Sequence, residues 1–173
     1  KCGKGFYVTS SLGEVVGVGN QLYDLYNTRH WKRGDELIGA LKAPLDGKSL
    51  FLFDRLGGVH LSGRSNIDLG DNEAPYFKEP GWAVDIEFSP NQNGFYYLDA
   101  LGGLHKIGNP GKLPLRGSVP YFSERVLVDF EIDSDGAVVL LTCSGNLYSS
   151  SLRTSEFDDL TEGLKVKQNK NNY

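Results

Sequence analysis

The sequence predicts an all-β protein, a single-domain β-propeller of four blades that each carry four strands in about 44 residues. Three observations support this prediction. Four similar segments recur along the chain, apolar and polar residues alternate with the period of a β-strand, and tight-turn signals separate the alternating stretches. The four repeats form either a four-bladed ring or part of a larger ring.

The repeat is visible in four segments, at residues 5–15, 50–60, 94–105 and 137–148. One turn glycine per segment recurs at intervals of 44, 45 and 43 residues: Gly13, Gly57, Gly102 and Gly145. The tripeptide Pro-Tyr-Phe begins at Pro75 and again at Pro120, and His30 with Trp31 takes the matching place one repeat earlier. These spacings place the repeats at residues 1–29, 30–74, 75–119 and 120–163.

The residues of each repeat predict its strands. Val84, Ile86 and Phe88 alternate with Asp85 and Glu87, the pattern of a strand with one buried face. Residues 128–133 repeat this alternation, and residues 37–41 align with the same strand. A tight turn follows at dipeptides that supply positive φ values: Asp46–Gly47, Asn93–Gly94 and Asp135–Gly136. An apolar second strand, a Leu-Gly-Gly turn and a third strand come next, and the remaining residues are expected to form a short outer strand.

The ends of the chain bear on ring closure. Residue 1 falls just before a second strand, so the first blade lacks its own innermost strand. We expect residues 164–167 to supply that strand and to fasten the ring, with residues 168–173 as a polar tail that frays. In the alternative, the missing strand belongs to another portion of a larger ring.

The repeat also resembles a known group. Its pattern is Gly, aromatic, Tyr, apolar, x, Asp, x, x, Gly, Gly, apolar, His, and it is clearest in residues 94–105. This pattern is similar to the NHL/YVTN repeats of bacterial surface and secreted propellers. The resemblance covers nearly the whole chain and implies an architecture only, because propellers host many unrelated functions.

Composition indicates which binding classes to exclude and which cellular location to expect. The chain has 173 residues, a net charge of -4 and no apolar run of the roughly 20 residues that a membrane span needs, so we expect neither nucleic-acid binding nor a membrane span. It contains no Met, which we interpret as a removed leader or a fragment of a larger protein. Abundant Tyr, Phe and Gly favour an extracellular, periplasmic or cell-surface location.

Two cysteines could form one bridge in an exported protein. If the ring closes within the chain, Cys2 and Cys143 belong to neighbouring blades, and a disulfide between them is geometrically conceivable. The sequence cannot show the short Cα separation that such a bridge needs.

The histidines and aspartates near the Leu-Gly-Gly turn recur. His60 and His105 occupy the same repeat position on different blades, where the other copies have a valine and a tyrosine. We therefore favour a structural role over a shared metal site. Asp54 and Asp99 precede the turn, where a carboxylate accepts hydrogen bonds from turn amides.

Four carboxylates lie on the predicted innermost strands, where side chains can line a central channel: Asp85, Glu87, Asp129 and Glu131. A ring of carboxylates could hold Ca²⁺, which prefers oxygen ligands. We favour the alternative that these residues form the solvent-facing side of half-buried strands, and no cofactor is expected. Lys42 lies at a nearby position.

Aromatic residues cluster where blades join, and four of them are candidate ligand contacts: Trp31, Trp82, Tyr76 and Tyr121. Exposed rings of this kind would anchor a sugar or a protein partner. We favour packing between adjacent sheets.

No nucleophile elbow, metalloprotease helix motif or phosphate-binding loop is present in the sequence. The sequence therefore favours a non-enzymatic interaction module that binds another protein, as an exported accessory or cell-surface subunit. One alternative is carbohydrate binding, as in lectin-type propellers. The other is a hydrolase or lyase with its site over the central channel, built from the carboxylates and Lys42.

Overall fold

The computed structural model describes residues 5–19, 25, 31, 38–44, 47–70, 74–113, 119–133 and 136–150. Within these ranges the protein is all-β, as predicted, and contains no helix. The predicted closing strand at 164–167, the polar tail and Cys2 lie outside the described residues.

The described strands are the following: β1 Gly5–Thr9, β2 Val15–Gly19, β3 Ile38–Lys42, β4 Ser49–Asp54, β5 Val59–Gly63, β6 Ala83–Phe88, β7 Gly94–Asp99, β8 Leu104–Gly108, β9 Leu127–Ile132, β10 Val138–Thr142 and β11 Leu147–Ser149. They form four antiparallel sheets in which consecutive strands are neighbours. Sheet 1 is β1-β2, sheet 2 is β3-β4-β5, sheet 3 is β6-β7-β8 and sheet 4 is β9-β10-β11. Each three-stranded sheet therefore has a first, a middle and a last strand in chain order.

The turn between the middle and last strands is built around a carboxylate. Asp54 Oδ1 accepts hydrogen bonds from the backbone N–H groups of Leu56 and Gly58, both at 2.9 Å. Asp99 does the same in sheet 3 for the N–H groups of Leu101 and Gly103. The predicted role of Asp54 and Asp99 in the turn is confirmed. In sheet 4 a threonine performs the equivalent role, since the Asn146 N–H donates to Thr142 Oγ1.

After sheets 1, 2 and 3 the described chain bonds back to this turn at the start of the next repeat. The backbone N–H of Trp31 donates to Leu12 O, that of Phe77 to Leu56 O and that of Phe122 to Leu101 O, at 2.7 to 2.8 Å. Glycine is required at the turn because Gly57 has a φ of 102° and a Cβ there would lie 2.7 Å from Pro75 O.

The predicted outer strand is not found in the described residues that follow β5 and β8. In sheets 2 and 3 those residues instead form the crossover, with Tyr97 Oη donating to Pro75 O at 2.5 Å and the Phe77 N–H bonded to the turn. Proline lacks the N–H that a strand ladder uses, which favours this course over a fourth strand.

Successive sheets pack face to face through three apolar clusters. Tyr7 and Val15 of sheet 1 pack on Leu50 and Leu52 of sheet 2, together with Trp31. The opposite face of β4 carries Phe51 and Phe53, which pack on Phe95, Tyr97 and Ile107 of sheet 3. In turn Tyr96 and Leu98 of sheet 3 pack on Val138 and Leu140 of sheet 4. Each middle strand thus buries one face against the preceding sheet and, in sheets 2 and 3, the other against the following sheet.

The first strand of each three-stranded sheet has a β-bulge in its pairing with the middle strand. The register shifts between Ile38 and Ala40 in β3, between Ala83 and Asp85 in β6, and opposite the Leu141–Thr142 step in β9. A bulge of this kind changes the face that the following residue presents. Val128, which the alternation predicted to be buried, is 48% exposed. That prediction is wrong because the bulge interrupts the period-2 pattern of β9.

We expect Asp54→Ala to lower the free energy of unfolding by about 1 to 3 kcal/mol, because two turn N–H groups and the His60 ring lose their acceptor. Urea unfolding followed by circular dichroism measures the change. Asp68→Ala is the matched control, since Asp68 is exposed and accepts a bond from the Gly70 N–H alone. Equal effects of the two substitutions would contradict the turn-anchor role.

Candidate functional site

The first strands of sheets 2, 3 and 4 bring five charged side chains together. They are Lys42 on β3, Asp85 and Glu87 on β6, and Asp129 and Glu131 on β9, and we name them the inner cluster. Strand β6 lies between β3 and β9. The bulges align these strands so that Lys42, Glu87 and Glu131 each sit opposite the matching residue of the middle strand. The sequence had predicted the carboxylates on the innermost strands and Lys42 nearby.

Lys42 is the positive centre of the inner cluster. Its ammonium donates a hydrogen bond to Glu87 Oε1 and lies 3.9 Å from Asp85 Oδ2. Asp85 is only 9% exposed, whereas Glu131 is exposed. The predicted solvent-facing position is therefore found for Glu131 but not for Asp85. Asp85 is buried because β6 packs between β3 and β9.

Burial raises the pKa of both carboxyl groups on β6. The pKa of Asp85 is raised to about 7, with burial as the largest cause; the charge of Lys42 acts in the opposite direction, and a hydrogen bond with Asp129 acts in the same direction as burial. The pKa of Glu87 is raised by burial despite its bond to Lys42. Burial lowers the pKa of Lys42, but the Glu87 bond and the charge of Asp85 outweigh it, so the net shift is upward.

The inner cluster is the place for which Ca²⁺ binding was the alternative to a solvent-facing role. Among the described residues, no group of three or more His, Cys, Asp or Glu side chains has the spacing of a metal site. Lys42 already supplies positive charge to Asp85 and Glu87. Ca²⁺ binding therefore stays an untested alternative.

An open cleft of about 440 Å³ adjoins the inner cluster at the ends of β6 and β9. Glu87, Ser89, Gln92 and Asp133 contribute its polar lining. In the turn beside the cleft, Gln92 has a φ of 58°, so the positive φ predicted at Asn93–Gly94 falls one residue earlier. Asn91 favours this turn conformation, because its Oδ1 accepts hydrogen bonds from both the Asn93 N–H and Ser89 Oγ. The sequence carried no signal for the cleft.

The two repeated histidines each bond to the turn aspartate of their own sheet. His60 Nε2 lies 2.7 Å from Asp54 Oδ2, and His105 Nε2 lies 2.8 Å from Asp99 Oδ2. Although burial acts to raise the pKa of Asp99, its bonds to His105 and to turn N–H groups outweigh this effect and lower it. The two histidines belong to separate Asp–His pairs, which agrees with the structural role favoured from the sequence.

The four candidate aromatic residues separate into two groups. Trp31 is buried and packs edge-on against His60, with ring centroids 5.0 Å apart. Trp82 stacks on Phe77 and is covered by the Arg125 guanidinium, 3.9 Å from its ring. These two fit the packing role favoured from the sequence. Tyr76 and Tyr121 do not, because they are 63% and 71% exposed.

Sheet 1 carries an apolar surface that the sequence did not reveal. Phe6 pairs with Val18 and Val8 with Val16 across β1 and β2, so all four side chains share one face. They are 44% to 60% exposed, and we name them the terminal patch. In sheet 3 the residues that match Phe6, Val8 and Val18 are buried, and only the absence of a packing neighbour in the described structure distinguishes those of sheet 1.

The possible disulfide between Cys2 and Cys143 stays untested. Cys143 is a free, exposed thiol, and Cys2 lies outside the described part of the chain. Within the described ranges, no helix is long and apolar enough to cross a membrane.

Comparisons with known proteins add no identification. No family model matches the sequence, and neither the curated proteins nor the solved structures gave a match. The resemblance to NHL/YVTN repeats therefore stays a prediction.

We compare the unfolding free energy of Asp85→Asn with that of wild type at two pH values. We expect this difference to favour the variant by at least about 1 kcal/mol more at pH 8 than at pH 5. The folded-state pKa of Asp85, about 7, exceeds its unfolded value. The stability that protonated Asp85 contributes is present at low pH and is lost as the pH rises through 7. Asparagine does not titrate, so the variant does not undergo this loss.

Urea unfolding at both pH values measures this difference. Asp68→Asn is the control, since Asp68 is exposed. A difference between Asp85→Asn and wild type that is the same at pH 5 and pH 8 would show that Asp85 titrates normally.

Proposed function

We propose that the four sheets are successive blades of a β-propeller, as a four-bladed ring or as part of a larger one. Support comes from the three-stranded meanders, from the face-to-face stacking of consecutive sheets, and from β3, β6 and β9 lying side by side. The resemblance of residues 94–105 to NHL/YVTN repeats agrees with this architecture.

The function we propose is a non-enzymatic interaction module, an exported accessory or cell-surface subunit that binds another protein. The terminal patch is the observation that carries this proposal. Four paired apolar side chains on one sheet face, each 44% or more exposed, favour an interaction surface over scattered surface residues.

The polar groups that could support catalysis have structural partners, which favours binding over chemistry. Asp54 and Asp99 each accept two turn N–H groups and bond a histidine. Glu87 and Asp85 face the Lys42 ammonium.

The test compares tagged wild-type protein with a Val8→Lys/Val18→Lys variant, purified under mild conditions from the native host and analysed by mass spectrometry. We expect a stoichiometric partner with wild type and at least a tenfold loss with the variant, because lysines prevent burial of the patch. Asp68→Lys, which introduces the same charge at an exposed residue between sheets 2 and 3, is the control. A partner retained equally by all three proteins would refute binding through the patch.

Carbohydrate binding is the second candidate, because Tyr76 and Tyr121 are exposed at matching places after Pro75 and Pro120. A glycan array separates the candidates. Glycan binding that disappears in a Tyr76→Ala/Tyr121→Ala variant, and persists in the patch variant, would favour the lectin function.

A further inference from the structure

The stacking between sheets 2 and 3 shows what the terminal patch lacks. In sheet 3 the face that meets the preceding sheet consists of Phe95 and Tyr97 on β7 and Ile107 on β8, each exposed by 1% or less. In the aligned turns and strands, Phe6, Val8 and Val18 take these positions in sheet 1. The terminal patch is therefore one half of an interface that the molecule already uses.

The other half of that interface is equally defined. Phe51 and Phe53 of β4 cover Phe95 and Tyr97, with ring centroids 4.8 and 5.2 Å apart. Both Phe51 and Phe53 lie on the face of a middle strand that meets the following sheet. A partner for the terminal patch needs two apolar side chains, spaced two residues apart, on the corresponding face.

Sheet 4 presents such a face. Val139 and Leu141 of β10 alternate with Val138 and Leu140, which pack against sheet 3, and they therefore point away from it. In register they pair with Glu131 and Asp129, just as Phe51 and Phe53 pair with Lys42 and Ala40. We name Val139 and Leu141 the trailing face. Both side chains are half-buried.

We propose that the protein self-associates head to tail, with the terminal patch of one copy packed on the trailing face of a second copy. A second copy is favoured because the patch stays exposed although its own chain carries the trailing face. Two copies joined by two such contacts form a closed ring of eight sheets, within the range of known propellers. The proposal rests on the proposed function, in which the terminal patch binds a protein. It names that protein as a second copy of this chain.

Light scattering coupled to size-exclusion chromatography tests this with the purified chain. We expect wild type to have twice the 19.0 kDa mass of one chain. Val8→Lys disables the patch and Leu141→Lys disables the trailing face, so each variant alone is expected to be monomeric. Asp68→Lys, at an exposed residue whose backbone lies against Gly108 of sheet 3, is the control and remains dimeric. Circular dichroism verifies folding, and Val18→Lys and Val139→Lys replace any variant that unfolds.

Mixing the two variants gives the decisive result. Val8→Lys supplies an intact trailing face and Leu141→Lys an intact patch, so their mixture is expected to form a dimer through one contact, with weaker affinity than wild type. A monomeric wild type would overturn self-association, and the patch would then retain its proposed role only if the native-host purification yields a different protein. A dimer that survives Leu141→Lys but not Val8→Lys would indicate patch-to-patch contact and overturn the head-to-tail arrangement.

Discussion

The structure depends on one constraint, which is that the middle strands of sheets 2 and 3 are apolar on both faces and pack against a sheet on either side. Phe51 and Phe53 meet sheet 3, while Leu50 and Leu52, which alternate with them in sequence, meet sheet 1. A strand buried on both faces loses the simple alternation of a half-buried strand and reads as a continuous apolar run. No single sheet here could bury both faces alone, so the sheets are stable only as a stack.

The same stacking organises the polar side of the molecule. It places the first strands of sheets 2 to 4 next to one another, and their bulges bring Asp85 and Glu87 beside Lys42 from the preceding sheet. Phe6 and Val8 of sheet 1 are exposed in the described structure, whereas the matching residues of sheets 2 and 3 are covered by the preceding sheet. The same stacking of sheets thus accounts for the packing and for the charge cluster, and it distinguishes the covered faces from the exposed apolar patch.

The sequence could predict what neighbouring residues determine, namely the hairpins, the turns and the role of Asp54 in its own turn. It could not predict what depends on another sheet. The exposure of Val128 follows from a bulge, which is defined only by the register with β10. The bond between Lys42 and Glu87 joins residues 45 apart in sequence. Phe6 has the same residue type as the buried Phe95, and only the neighbouring sheet distinguishes the two.

Sheets 2 and 3 stabilise each other through the facing sides of their middle strands, and a double-mutant cycle measures this stabilisation. Urea unfolding of Phe51→Leu, Phe95→Leu and the double variant gives a coupling energy, with Phe51 and Leu140, from different clusters, as the control pair. We expect a coupling energy of at least about 0.5 kcal/mol for the first pair and additivity for the control. Additivity in both pairs would contradict direct stacking of the two sheets.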